Sequence, residues 1–591
     1  MLNQIRNFCI ISHVNHGKST LADRFLEITG TIAMDKMRPQ YLNAMDLERE
    51  KGITIKMTPV RMKFNDYTLN LIDTPGHVDF GYEVSRSLVA VEGVILLVDA
   101  TKGIQAQTIG NLELAKKQNL VIIPAINKID SPQAKIEETE KEMMSLLGVE
   151  SSDIIRISAK DGVNVDKVMS AVLAKVPAPK GEAEKPLKAL VFDSKYDSFK
   201  GVLAYVRVFD GEVKKGDKIY LMQSKVVSEV KEVGTFNPEF FPAEKLVPGD
   251  IGYIATGIKV PGQVRVGETI TLMGQTPEVL TGYQEPNPMV FLSVYPENPD
   301  DLELLQDSLE RLKLNDAALS FKPDFKEGLG RGFQCGFLGL LHTEIIAERL
   351  RREFGLNLIL STPSVIYKVT LNDGKELFVY TSADWPDHSK IAQSQELWIK
   401  LQVLTPVDYL GEVLRLLESI ESKQLKTDYL SQNKVELLYE VPLREIITKS
   451  FYDKLKGVSK GFASMNYEML DWRGANLVKL DILILGKNDE AFSRIVPESE
   501  AFTEGRKMVE KLKEVLPSQL FAVPLQAAVG GKILARATIS AKRRDVTGTL
   551  SGGDYTRKRK LLEKQKKGKK DLKEKGRIKI PSKTFLEVFK I

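Results

Sequence analysis

The sequence predicts a multidomain chain of mixed α/β and β class: a doubly wound α/β domain, a small β-barrel, two ferredoxin-like α+β plaits and a basic C-terminal domain. Three observations predict it. Residues 1 to about 178 alternate strand-like apolar runs with amphipathic stretches, the pattern of a parallel sheet covered by helices. From Leu187 to Met273 short alternating strands are punctuated by Gly-Asp and Pro-Gly turns, as in KKGDKIYL and LVPGDIGYI, which marks a small barrel. A β-α-β-β-α-β order then occurs twice, over 289 to 371 and over about 398 to 486.

Taken in order, the α/β domain covers 1–180 and ends in the linker Val176-Pro177-Ala178-Pro179-Lys180-Gly181. The barrel covers 181–285 and the first plait 286–372, with MVFLSVYP as its first strand, helices near Asp300 to Leu314 and Gly339 to Phe354, and a last strand near Ile366. Residues 373–397, with Trp385-Pro386, connect it to a second plait at 398–486, which runs from LWIKLQVLTP through a helix at Tyr409 to Glu421 to LVKLDILILG. The last domain, 487–591, is expected to hold a helix near Ala501 to Val515 and strands near Leu525 to Ala535 before a highly charged arm.

The chain of 591 residues is 43% hydrophobic and 28% charged, a globular composition with ample core. Cys9 and Cys335 form no C-x-x-C pair, which suggests a reducing compartment. No signal peptide precedes the first strand, and no apolar run of about 18 residues could span a bilayer, so a cytoplasmic location is expected. The net charge of +5 conceals an asymmetry: residues 532–591 carry 20 Lys/Arg against 6 Asp/Glu, an excess of +14 that leaves −9 for the rest. That end faces a polyanion.

The first strand runs into FCIISHVNHGKSTLADR, where Gly17-Lys18-Ser19 closes a near-match to G-x-x-x-x-G-K-[ST] with Ser12 in the first glycine's place. Asn15, His16, Gly17, Lys18, Ser19 and Thr20 form the candidate phosphate-binding set. Backbone N–H groups ring the β-phosphate at the helix N-terminus, the Lys18 ammonium neutralises phosphate oxygens, and the Ser19 hydroxyl ligates Mg²⁺. The companion motifs follow in the order a GTP-operated switch requires. Thr54, in KGITI, offers the metal a second hydroxyl. Asp73, in DTPG after the strand Tyr67 to Ile72, can hold it through water, and the Gly76 amide can sense a γ-phosphate. Asn127, Lys128 and Asp130, after the buried run Leu120 to Ile126, with Ser158, Ala159 and Lys160 after Ile154 to Ile157, form a base-reading set. The Asp130 carboxylate pairs with guanine N1–H and N2–H₂, whereas adenine leaves it facing an acceptor. The nucleotide is therefore GTP.

In the arm, Arg557, Lys558, Arg559, Lys560, Lys564, Lys566 and Lys567 concentrate positive charge beside the Gly552-Gly553 turn. The segment is too polar all round to bury a face, so phosphate contact with RNA is weighed against a solvated helix.

Together these residues resemble the elongation factor 4, or LepA, family of translational GTPases over the full chain. The likeness rests on EKGITIK, LIDTPGHVDF, PMVFLSVYP, GFLGLLHTEII and GGDYTRKRKLLEKQKKGKK, of which the last two are family-specific. The resemblance implies a ribosome-stimulated GTPase that remodels the post-translocation complex by one-codon back-translocation of tRNAs, with a role in fidelity under stress. It implies rRNA of the GTPase-activating centre and tRNA as partners, and a monomer off the ribosome. It assigns His77 to the attacking water, Ser19, Thr54 and Asp73 to Mg²⁺, and Val14 and Ile53 to an apolar gate that screens the histidine. His13 and His16 read as packing and backbone-support residues rather than proton-transfer groups, and His342 and His388 as structural.

The sequence departs from the family at Asn15, where the family usually has the Asp associated with a monovalent cation, and at Gly548-Thr549-Leu550-Ser551, where a more basic and aromatic loop is expected. Two rival readings stand beside the first. One is a GTP-gated ribosome or subunit-assembly factor whose hydrolysis only times release. The other is a peripheral membrane GTPase whose basic tail meets anionic lipid, although no apolar face accompanies that tail.

Overall fold

A computed structural model describes residues 2–542 except 44, 281–287, 317, 327–328 and 432, and beyond them residues 555–556, 558–564 and 584. The first domain is built on a six-stranded sheet ordered 58–64, 67–73, 5–11, 93–99, 121–127, 155–156. All neighbours are parallel except the first hairpin pair. The strand Ile5–Ile11 lies in the middle with Phe8, Cys9, Ile10 and Ile11 fully buried, because helices cover both faces of the sheet. Strand order reverses on its two sides, and the crevice at that reversal opens at the strands' carboxyl ends. The loop after Ile11 lies there.

The barrel is an eight-stranded antiparallel sheet that runs from Lys188–Asp197 to Thr269–Leu272. It is fastened to the first domain by charge as well as by apolar packing. The buried Arg207 guanidinium donates to Glu92 at 2.8 Å, and the Arg86 guanidinium donates to Asp193 at 3.1 Å. Buried pairs of this kind recover little net free energy after desolvation, so their contribution is to fix orientation.

The first plait has strand order 320–326, 330–337, 290–296, 358–360, with the helices Leu302–Asn315 and Leu340–Phe354 between strands. Its fourth strand is Leu358–Leu360; no strand near Ile366 closes it. Instead Tyr367–Leu371 and Glu376–Val379 form a hairpin on the first half of the long strand Ile391–Pro406. Residues 373–397 are therefore sheet and 3₁₀ turns rather than a free connection, with Trp385 packed edge-on to Tyr367.

The second plait uses the other half of that strand, in the order 423–431, 434–442, 391–406, 464–474. It closes with Ser464–Gly474, not with LVKLDILILG. That run, Leu477–Ile484, pairs with Val523–Val529 and belongs to the C-terminal sheet, which the helix Ala501–Val515 covers. The C-terminal core continues into the first plait through Tyr295 and Ile359.

In the charged arm, Lys558, Arg559, Lys560 and Lys564 are on a largely exposed helical stretch, where Arg559 pairs with Glu563 at 3.1 Å. Arg557, Lys566, Lys567 and the loop at 548–551 lie outside the described residues.

Candidate functional site

The turn between Ile11 and the helix Lys18–Ile28 is shaped by two residues with positive φ, Asn15 at 63° and Gly17 at 97°. A Cβ at Gly17 would fall 2.3 Å from Asn127 Nδ2, so at this positive φ glycine lets the loop lie on the end of the strand Val121–Asn127. Asn127 joins the two halves of the nucleotide site. Its Nδ2 donates to His16 O at 2.9 Å, and its Oδ1 accepts from Ala159 N at 2.9 Å. Beside it, Lys128 donates to Asn15 O at 2.8 Å and pairs with the buried Asp99 at 2.6 Å. Ser158 accepts from Asp161 N at 3.1 Å, while Asp130 and Lys160 are exposed.

Val14, Asn15, Gly17, Lys18, Ser19, Thr20, Gly52, Ile53, Thr54, Gly76 and Lys128 line one cleft of about 240 Å³, with Gln40 as an addition the sequence did not indicate. Lys18 donates to Ser12 Oγ at 3.0 Å and to His13 O at 3.1 Å, so Ser12 supports the ammonium from the first glycine's position. A Cβ at Gly76 would sit 2.3 Å from Lys18 Nζ and 3.1 Å from Val14 N. The DTPG turn thus lies directly on the phosphate loop, and a side chain at 76 would displace the Lys18 ammonium and crowd the loop backbone.

Ser19 Oγ lies 3.1 Å from Thr54 Oγ1, and both hydroxyls lie 3.4 Å from Asp73 Oδ2. Two hydroxyls and a carboxylate from three separate segments thus converge on one point. The other Asp73 oxygen is buried without a hydrogen-bond partner among the described residues. Oxygen donors with a spare carboxylate oxygen fit a small hard dication. Burial raises the Asp73 pKa, opposed by the Lys18 ammonium, and burial lowers that of Lys18, opposed by Asp73. A dication and phosphates would favour the charged form of each.

The segment carrying Thr54 is held by a residue that sequence reasoning passed over. The buried Glu48 carboxylate accepts from Met45 N at 3.0 Å, Ile55 N at 2.8 Å and Lys56 N at 3.2 Å. Asn43 Oδ1 accepts from Thr54 at 3.3 Å. The only local signal was an acid in the helix preceding KGITI. Ile53 packs, with Leu47, Ile55 and Phe80, against Leu341 and Ile345 of the first plait.

His77 is not among the cleft-lining residues. Its Nδ1 accepts from Asp79 N at 3.2 Å, and its ring packs edge-on to Tyr452 of the second plait at 5.6 Å. Burial lowers its pKa, so the imidazole is neutral near pH 7 with its proton on Nε2 in this pose.

His13 and His16 pack 5.3 Å apart, and burial holds both pKa values well below 6.5. The unfolded chain therefore protonates these rings first, and the stability they contribute above pH 6.5 is lost as pH falls toward their folded-state values. Stability of the first domain to denaturant should fall between pH 7.5 and 5.5, by up to about 1.4 kcal/mol per pH unit per histidine below 6.5. A His16→Gln variant with an unchanged pH slope would contradict this.

Among the described residues no cluster of His, Cys, Asp and Glu forms a separate metal site, and no helix is long and apolar enough to cross a membrane. Both cysteines are buried, with thiol pKa values raised by desolvation.

Comparisons with known proteins divide the chain similarly, except that their last boundary falls at 483/484, so that Leu477–Ile484, paired here within the C-terminal sheet, is matched with the second plait. Residues 3–178 match the elongation factor Tu GTP-binding domain, and 201–271 match domain 2 of that factor. Residues 285–362 match domain III of elongation factor G and 393–483 its C-terminus, while 484–590 match the C-terminus of the GTP-binding protein LepA. An elongation factor 4 from Alkaliphilus oremlandii is 49% identical over 594 residues, covering 100% of this chain and 98% of that protein. One from Thermotoga maritima is also 49% identical, covering 99% and 96%. A crystal structure of a Thermus thermophilus protein superposes with a TM-score of 0.57 at 16% identity, over 80% of this chain and 97% of that one, a likeness of fold.

Proposed function

Because the chain belongs to the elongation factor 4 family of translational GTPases, we propose that it engages the post-translocation ribosome with GTP bound, draws the tRNAs back by one codon, and leaves after hydrolysis. It is a ribosome-dependent translation factor that hydrolyses GTP to GDP and phosphate. The observation that carries the proposal is the physical link from cleft to plaits. Asp79, six residues past Asp73, accepts from Leu341 N at 2.8 Å at the start of the helix Leu340–Phe354, and Ile53 packs on the same helix. Changes at the γ-phosphate therefore pull directly on the first plait.

In this reading Lys18 and the loop amides hold the phosphates, Asn127, Lys128, Asp130 and the 158–160 loop read guanine, and Ser19, Thr54 and Asp73 hold Mg²⁺. The ion would offset charge on the β- and γ-phosphate oxygens. Val14 and Ile53, at the cleft wall, screen the attacking water from His77 until the ribosome docks. The basic arm contacts rRNA or tRNA through phosphates, and the protein works as a monomer in the cytoplasm.

The decisive experiment follows tRNA position on purified post-translocation ribosomes given full-length protein and a non-hydrolysable GTP analogue. tRNA should move back without hydrolysis; binding with no movement would favour a factor whose hydrolysis merely releases it. Deleting residues 557–591 should flatten the log–log salt dependence of ribosome binding, by roughly 0.7 to 0.9 for each phosphate no longer neutralised. GTP affinity should be unchanged, because Lys18 and Asp130 lie in the first domain, far along the chain from the deleted residues. An unchanged salt slope would make the arm a solvated helix.

A further inference from the structure

The histidine assigned to the attacking water is held by parts of the protein that do not bind nucleotide. On one side is Tyr452, in the helix Phe451–Val458 of the second plait, with its ring perpendicular to that of His77 at 5.6 Å. The Lys456 ammonium lies over the same tyrosine ring at 4.1 Å, which fixes the tyrosine from its other neighbour on that helix. On the other side is Asp79. Its backbone N–H donates to His77 Nδ1, and its carboxylate is tied to the first plait through Leu341 N. His77 is thus clamped between the two plaits.

The second plait is itself bolted to the GTPase domain at a distance from His77. Lys434 is buried, with its ammonium donating to Lys102 O at 3.1 Å and Ile104 O at 2.8 Å and pairing with Glu142 at 3.2 Å. Ser464 Oγ accepts from Ala106 N at 2.9 Å, which caps the first turn of the helix Ala106–Lys117. These bonds cross an interface rather than lying within one domain's core. They break together if the plait lifts.

We propose that Tyr452 is a positioning residue for His77: the docked second plait holds the imidazole off the nucleotide cleft, and departure of that plait frees it to turn toward the water. The inference rests on the reading of His77 as the group that orients the water. An edge-to-face aromatic pair of this kind biases the ring rather than locking it. Removing it shifts the population of the held state by roughly 2- to 10-fold. Separation of the plait by the ribosome would also break the Lys434 and Ser464 hydrogen bonds, so the full release exceeds what one ring change gives.

The test is GTP hydrolysis by the full-length protein without ribosomes, under single-turnover conditions. Tyr452→Ala should hydrolyse roughly 2- to 10-fold faster than the parent protein. Tyr452→Phe, which keeps the ring, should stay near the parent rate, and His77→Ala/Tyr452→Ala should show no acceleration. Lys434→Ala loosens the same plait far from the histidine and should also accelerate the basal rate; it decides the matter if Tyr452→Ala does not fold. A parent-like rate in Tyr452→Ala, acceleration in Tyr452→Phe, or acceleration that survives loss of His77 would each overturn the proposal. The underlying reading fails separately: if His77→Ala alone keeps full ribosome-stimulated hydrolysis, His77 is not the group, whatever Tyr452 does.

Discussion

His77→Ala should lower ribosome-stimulated GTP hydrolysis by roughly 10²- to 10⁴-fold, the range for losing a positioned proton-transfer or water-orienting group. Affinity for GTP should change little, because the ring does not line the cleft that would hold the nucleotide, whereas its neighbour Gly76 does. In the pose seen here Nδ1 accepts a backbone N–H, which leaves Nε2 as the protonated nitrogen. Such a ring can orient a water by donating to it. His77→Gln keeps a donor of similar reach and should therefore retain more activity than His77→Ala. Rapid-mix hydrolysis with saturating ribosomes measures the chemical step, and nucleotide binding measured by fluorescence tests the unchanged affinity. Full activity in the alanine variant would remove His77 from the mechanism.

The second large effect is a change of base. Asp130→Asn replaces one acceptor oxygen with a donor, which opposes guanine N1–H or N2–H₂ but suits the O2 of xanthine. The ratio of affinities for GTP and xanthosine triphosphate should invert through a change of roughly 10⁴-fold, as expected where a site built on polar pairing meets a mismatched partner. Asp130 is exposed, so the substitution should leave the fold intact. The scaffold that aims it, Asn127 bridging His16 O and Ala159 N, is untouched. Competition binding with the two nucleotides measures the ratio. A variant that still prefers GTP would mean that base recognition lies elsewhere.

The nucleotide site was legible in the sequence because its chemistry restricts residue type. Gly17 stands at positive φ against Asn127, Gly76 lies directly on the phosphate loop, and oxygen-bearing side chains from three segments meet at 19, 54 and 73. The sheet boundaries between the plaits were less legible. Tyr367–Leu371, Leu477–Ile484 and Ser464–Gly474 all read as strands, and which sheet each joins depends on distant pairing partners rather than on its own pattern. The residues that hold the site were the least legible. Glu48 and Asp79 are ordinary acids in sequence, and Tyr452 lies 375 positions from the ring it touches.

The strand Ile391–Pro406 is 16 residues long, so at about 3.3 Å per residue it spans about 50 Å. Its first half carries the hairpin that follows the first plait, and its second half is the central beam of the second. One apolar core runs from Val290 and Leu292 to Ile399, Leu401 and Val403 without a break. A load applied to either plait is therefore passed to the other through one continuous strand and one core, with a break in pairing register at Leu397–Ile399 where the halves meet. The pair should swing as one lever about its attachments to the GTPase domain, and compliance should reside in those attachments rather than between the plaits.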